Sequence, residues 1–129
     1  MLGNMDATAT LAVRNLDTAR KFYEGTLGLK KVGEEDGELV AYKSGNSTIN
    51  VYRSKFAGTN QATALTWDVG KDIEGFVAKL KARDVNFEHY DIPELKREGD
   101  VYVGGNMKVA WFKDPDGNIL NIFSSLSTS

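Results

Sequence analysis

None of the 129 residues is a cysteine, which excludes disulfides, thiolate metal sites and a cysteine nucleophile. That usage fits a reducing compartment. Histidine is almost as scarce: His89 is the only one, and a single imidazole makes a poor metal site. There is no cluster of basic residues and no interleaving of basic with aromatic residues. The formal net charge is −2 with both signs scattered along the chain, so nucleic acid is not an expected partner. No apolar run approaches the roughly 20 residues a membrane helix needs. The opening Met1-Leu2-Gly3-Asn4-Met5-Asp6 lacks the charged-then-apolar layout of a signal peptide. The expectation is a cytoplasmic protein with no membrane contact.

What is present describes an ordinary soluble globular chain. Hydrophobic residues make up 41% and charged residues 26%, enough to bury a real core at this length, and the expectation is a single domain over 1–129. Residues 7–13 alternate, with Leu11 and Val13 facing one way and Thr8, Thr10 and Ala12 the other, the pattern of a half-buried strand. A helix follows from Asp17, placed as its cap or in its first turn, with Ala19, Phe22, Tyr23 and Leu27 at helical spacing and Gly28 as its stop. Strands are predicted over 29–35, 38–44 and 47–54, joined by turns at Asp36-Gly37 and Ser44-Gly45-Asn46. Residues 55–61, mostly small and polar, read as a linker.

The order then recurs. A strand over 62–69 sets Leu65, Trp67 and Val69 against Ala64, Thr66 and Asp68. A helix over 72–83 carries Ile73, Phe76, Val77 and Leu80 at i, i+3, i+4 and i+7. Short strands are predicted near 85–89, 100–104, 107–113 and 118–124, with an irregular charged loop at 90–99 and fraying over the last six residues. The chain thus reads as an α+β fold, β-α-β-β-β twice over, with module one at about 6–54 and module two at about 62–124. Each module has one helix to cover one sheet face, so a curved mixed sheet around a cleft is the expected architecture, with a concave binding site between the uncovered faces.

Two segments carry a resemblance. The first is Leu16-Asp17-Thr18-Ala19-Arg20-Lys21-Phe22-Tyr23 followed by Leu27-Gly28-Leu29. The second, about a hundred residues later, is Trp111-Phe112-Lys113-Asp114-Pro115-Asp116-Gly117-Asn118-Ile119-Leu120-Asn121-Ile122-Phe123. In the second, Pro115 presets φ for a tight turn, Asp114 is placed to bond the turn backbone, and Gly117 takes the φ > 0 position. Together the segments resemble the vicinal oxygen chelate superfamily, which includes glyoxalase I, extradiol dioxygenases, fosfomycin-modifying enzymes and bleomycin-binding resistance proteins. The resemblance runs from about Ala7 to Phe123. It implies the fold, but that fold hosts metalloenzymes and plain binders alike. It also implies a homodimer.

Metalloenzymes of that superfamily take His or Glu ligands from four strands facing the cleft. By register the matching positions here are Thr8, Asn50, Ala64 (or Ala62, if the turn before the helix differs in length) and Asn121. None offers a carboxylate or an imidazole. A register error of one residue does not help, because Ala9, Ile49, Val51, Leu65, Leu120 and Ile122 are equally inert. A catalytic divalent metal wants at least three His, Asp or Glu donors, so neither metal nor cofactor is expected.

The resemblance then points to a metal-independent protein that sequesters a planar or amphipathic small molecule, as the bleomycin-resistance branch does. The expected wall is Thr8, Asn50, Tyr52, Ala64, Tyr102, Trp111 and Asn121, with Phe123, Met107 and Val109 alongside; Trp67 and Phe112 have the opposite parity and read as core. Asn50 and Asn121 sit mid-strand among apolar neighbours and must find partners, either a ligand or each other. His89 reads as a base oriented by Glu88 or Asp91, as part of a patch of metal ligands with them, or as a surface residue beside a charged loop. The acidic run Glu34, Glu35, Asp36 and Glu38 and the pair Lys96-Arg97 read as solvated faces, and the 90–99 loop as a lid hinged by Gly99, Gly104 and Gly105. The alternatives are a glyoxalase- or dioxygenase-like metalloenzyme with unrecognised ligands, and a dimeric domain whose closed cleft serves protein–protein contact.

Overall fold

The computed structural model describes residues 1–125, which divide into two compact units. The first comprises Met1–Thr59 and Pro115–Asn118; the second comprises Asn60–Asp114 and the strand that begins at Ile119.

In the first unit, the alternation predicted for the opening segment produces β1 (Ala9–Val13), with Leu11 and Val13 buried and Thr10 exposed. Asn15, rather than Asp17, caps the helix that follows: its side chain accepts a hydrogen bond from the Thr18 amide at 3.1 Å. Asp17 instead occupies the first turn, where a carboxylate favours the helix dipole. The helix runs as α1 (Leu16–Arg20) and continues as a wider π-helical turn over Lys21–Thr26. Strands β2 (Lys30–Glu35), β3 (Leu39–Ser44) and β4 (Ser47–Arg53) complete a four-stranded sheet in the order β1-β4-β3-β2, with β1 parallel to β4 and the other pairs antiparallel.

Leu16, Ala19 and Tyr23 cover one face of this sheet, where Val40, Tyr42, Ile49 and Val51 are fully or almost fully buried. Each such aliphatic residue stabilises the fold by about 1.5–3 kcal/mol. The Tyr42 hydroxyl donates to Glu24 Oε2 at 2.8 Å, and burial first, then this bond, raises its pKa. Residues 54–59 are more than a linker: Ala57 is fully buried and Thr59 Oγ1 donates to the Phe56 carbonyl at 2.8 Å. The predicted tight turn at 114–117 forms, with Gly117 at φ 93°. It belongs with this unit because Asp116 Oδ1 accepts from the Arg14 amide at 3.0 Å and Asn118 Nδ2 donates to the Ala12 carbonyl at 2.8 Å.

The second unit repeats the order with an addition. Strand β5 (Thr63–Asp68) leads to α2 (Ile73–Ala82), capped by Asp72 Oδ1 on the Gly75 amide at 3.1 Å. Ile73 and Val77 are buried as the helical stripe predicts, whereas Phe76 lies at the edge of the stripe, 40% exposed under the Lys79 ammonium. Then come β6 (Phe87–Glu88), β7 (Lys96–Glu98), β8 (Val101–Gly104), β9 (Met107–Lys113) and β10 (Ile119–Ser125). The sheet order is β5-β10-β9-β8-β7, with β5 parallel to β10.

Strand β6 pairs with Trp111 and Phe112 of β9, and β8 pairs with residues 107–109 of the same strand. The two short strands therefore share one edge of β9, and the hairpin β7–β8 interrupts what is a single edge strand in the first unit. Two sequence readings are corrected here. Residues 96–98 of the supposed irregular loop form a strand, which the pattern hid because Lys96, Arg97 and Glu98 are all charged and exposed. Ser124 does not fray but is fully buried in β10, and the final four residues lie outside the described part. No helix among the described residues is long and apolar enough to cross a membrane.

Candidate functional site

Period-two alternation puts Met107, Val109 and Trp111 on one face of β9, and Asn121 and Phe123 on the matching face of β10. The register aligns them directly: Asn121 stands opposite Trp111 on one side and Thr66 of β5 on the other, while Phe123 stands opposite Val109. These residues, with Ile92 and Leu95 from the loop after β6, line a concavity of about 400 Å³. All eight are uncharged. The opposite face carries Ala110, Phe112, Leu120 and Ile122 into the core, where Phe112 stacks on Trp67 at 6.5 Å.

The Trp111 indole is held from three sides. Its Nε1 donates to Thr63 Oγ1 at 3.1 Å, and the rings of Tyr90 and Tyr102 meet it edge-on at 5.6 and 5.2 Å. A ring fixed this way presents a flat apolar surface with little rotamer freedom left to lose on binding. Asn121 supplies the polar element. Its Oδ1 is buried with no hydrogen-bond partner, a situation that costs about 1–3 kcal/mol. The side chain also lines the concavity, and a turn of its amide would bring this acceptor to a donor from outside the protein.

The other expected wall residues fall elsewhere. Tyr102 is 2% exposed and does not line the concavity. Its hydroxyl donates to the Tyr90 carbonyl at 2.8 Å and accepts from the Tyr90 amide, so it anchors the loop and buttresses Trp111 from behind. Ala64 sits at a bulge in β5, skipped as the register passes from Thr63 to Leu65, and Thr66 takes its place in the lining. Thr8, Asn50 and Tyr52 belong to the first unit. Thr8 is exposed ahead of β1, and Asn50 and Tyr52 share the sheet face not covered by the helix, with Asn50 between Thr10 and Ala41 and Tyr52 between Ala12 and Leu39.

Sequence reasoning missed Thr66, Ile92 and Leu95. The signal for the last two is faint but present: they are the aliphatic residues of a loop rich in charge. Gly104, read as a hinge, has Leu95 packed against it instead.

His89 and two carboxylates of the acidic run are paired rather than poised. His89 Nε2 meets Asp100 Oδ1 at 2.8 Å, not Glu88 or Asp91, and Lys81 Nζ holds the other Asp100 oxygen at 2.8 Å. These bonds, the lysine's foremost, lower the Asp100 pKa. Glu34 pairs with Arg20 and Lys31, and Glu38 with Arg53. Among the described residues no group of three His, Asp or Glu side chains is placed to hold a metal. The neutral donor set at Thr8, Asn50, Ala64 and Asn121 does not fit a divalent cation.

Two βαβββ units and an aromatic concavity on an open sheet face define a small α+β protein of the glyoxalase-fold class. The profile described as Glyoxalase/Bleomycin resistance protein/Dioxygenase superfamily matches residues 5–122, and the chain belongs to that superfamily. Solved structures agree at the level of fold. A glyoxalase family protein from Enterococcus faecalis superposes with a TM-score of 0.72 at 19% identity, covering 95% of this chain and 99% of its own. A fosfomycin resistance protein from Listeria monocytogenes gives 0.71 at 11% identity, covering 93% and 92%. A lactoylglutathione lyase from Agrobacterium tumefaciens gives 0.65 at 19% identity, covering 94% and 93%. No curated protein matches the sequence significantly.

Proposed function

We propose that the protein is a metal-independent small-molecule binder that sequesters a flat, uncharged group against Trp111 in the concavity of the second unit. The observation that carries this reading is the Trp111 ring, fixed by Thr63, Tyr90 and Tyr102 in a neutral concavity where Thr66 and Asn121 are the polar lining residues. A concavity of about 400 Å³ falls within the size range of small-molecule sites. Every lining side chain is neutral, so a charged group entering it would lose hydration with no counter-charge to replace it. The ligand class is therefore a planar body with an N–H or O–H donor at its edge. Met107, 41% exposed and flexible, adapts the rim to ligand shape. Superfamily metal chemistry is disfavoured by the donor set at the four ligand positions. An open concavity also favours binding over the closed cleft that a purely protein–protein role would use.

The test uses N-phenyl-1-naphthylamine, a flat uncharged fluorophore with one N–H donor. With Trp67→Phe in place, Trp111 is the only tryptophan left. Saturable quenching of its emission, matched by a rise in probe fluorescence, is expected. Quenching that grows linearly with probe, or that survives Trp111→Ala as probe enhancement, would overturn the assignment.

A further inference from the structure

We infer that the width of this concavity, and with it the affinity for a flat group, is set by Gly104, a positioning residue outside its lining. The inference rests on the binding reading above. Two of the eight lining residues, Ile92 and Leu95, come from the loop that precedes the inserted hairpin rather than from the sheet. The position of that loop decides how wide the site is on one side. Its first end is tied down by the two hydrogen bonds between Tyr102 and the Tyr90 backbone. Its middle is a tight turn closed by the Leu95 amide on the Ile92 carbonyl at 3.0 Å, and its far end runs directly into β7.

Between these anchors Leu95 is seated on Gly104. A Cβ added to Gly104 would overlap Leu95 Cδ2 and stand 3.2 Å from the Glu94 carbonyl oxygen. The glycine is not required by the backbone: Gly104 is absent from the glycines with positive φ, unlike its neighbour Gly105 at 57°. What matters at position 104 is the missing side chain, which leaves room for Leu95 to lie against β8. Gly104 is also the register partner of Met107, which lines the site from β9. One vacant Cβ position therefore sets where Leu95 can sit within the wall. A larger residue at 104 drives Leu95 off its seat, and the flat group loses the surface that clasps it opposite the sheet.

The decisive experiment is a double-mutant cycle on Gly104→Ala and Leu95→Ala, read by titration with N-phenyl-1-naphthylamine. Gly104→Ala is expected to weaken binding by roughly three- to tenfold, the factor carried by one side chain forced off its rotamer. In the Leu95→Ala background, where only the Glu94 carbonyl still crowds the added methyl, the same substitution is expected to have a much smaller effect. Equal losses in both backgrounds, or none in either, would overturn the inference while leaving the binding site standing. Wild-type protein that shows no saturable binding dependent on Trp111 would overturn the site assignment itself, and this inference with it. Should Gly104→Ala fail to fold, Leu95→Gly carries the test alone: a loss of similar size supports the loop wall, and unchanged affinity contradicts it.

Discussion

Asn121 holds the clearest tension between stability and use. Its buried Oδ1 has no partner, so the ligand-free protein bears the cost of an unmet acceptor. Replacing it with leucine keeps the branched shape and the heavy-atom count and removes that cost. Urea denaturation of Asn121→Leu is therefore expected to give ligand-free stability equal to wild type or higher by up to about 1 kcal/mol. Its affinity for N-phenyl-1-naphthylamine should fall by about fivefold, the worth of one hydrogen bond of about 1 kcal/mol. A variant that is both destabilised and unchanged in binding would show that Asn121 serves the sheet rather than a ligand. The face of Trp111 was legible in the sequence because strand parity fixes which side a residue takes, whereas Asn121 was reached through the register that the family resemblance implies. Tyr102 shares that parity, yet the loop covers it, and parity carries no information about what a distant segment will lay over a strand. The bulge that retires Ala64 in favour of Thr66 is equally invisible to a period of two.

The inserted hairpin β7–β8 is the element that distinguishes the second unit from the first, and charge fixes it in place. Asp100, just before β8, ties this hairpin to the last turn of α2 through Lys81 and to the end of β6 through His89. Because those bonds lower the Asp100 pKa, their contribution is fully present above the ordinary aspartate value of 3.8 and is lost as pH falls through the lower folded value. Asp100→Asn should reduce stability by on the order of 1 kcal/mol near neutral pH, with the deficit shrinking as pH falls below 3.8. Urea midpoints of the two proteins across that range provide the check, and a deficit independent of pH would refute the ion-pair account. The sequence concealed this hairpin for a physical reason. A three-residue strand of Lys96, Arg97 and Glu98 has no apolar alternation, and only its backbone ladder to β8 and the surrounding charge pairs define it. The long strands and both helices, whose apolar faces are buried, were readable to within a residue or two.

At the scale of the whole molecule, the superfamily fold is built twice from one β-α-β-β-β pattern. The repeat was legible because each unit buries a complete apolar face of its own: Leu11, Val13, Val40 and Val51 in one, and Ala110, Phe112, Leu120 and Ile122 in the other. The concavity was legible only in part, since Ile92 and Leu95 reach it through a loop whose path no periodicity encodes. The central claim, that the concavity binds its ligand without a metal, is tested most directly by titrating N-phenyl-1-naphthylamine into one preparation split in two. One half is stripped with chelator; the other is incubated with Zn²⁺, Ni²⁺, Mn²⁺ and Fe²⁺ in turn and analysed for retained metal. The account predicts the same dissociation constant in every sample and no stoichiometric metal. Binding that disappears on chelation and returns with one of these ions, held at about one per chain, would contradict it.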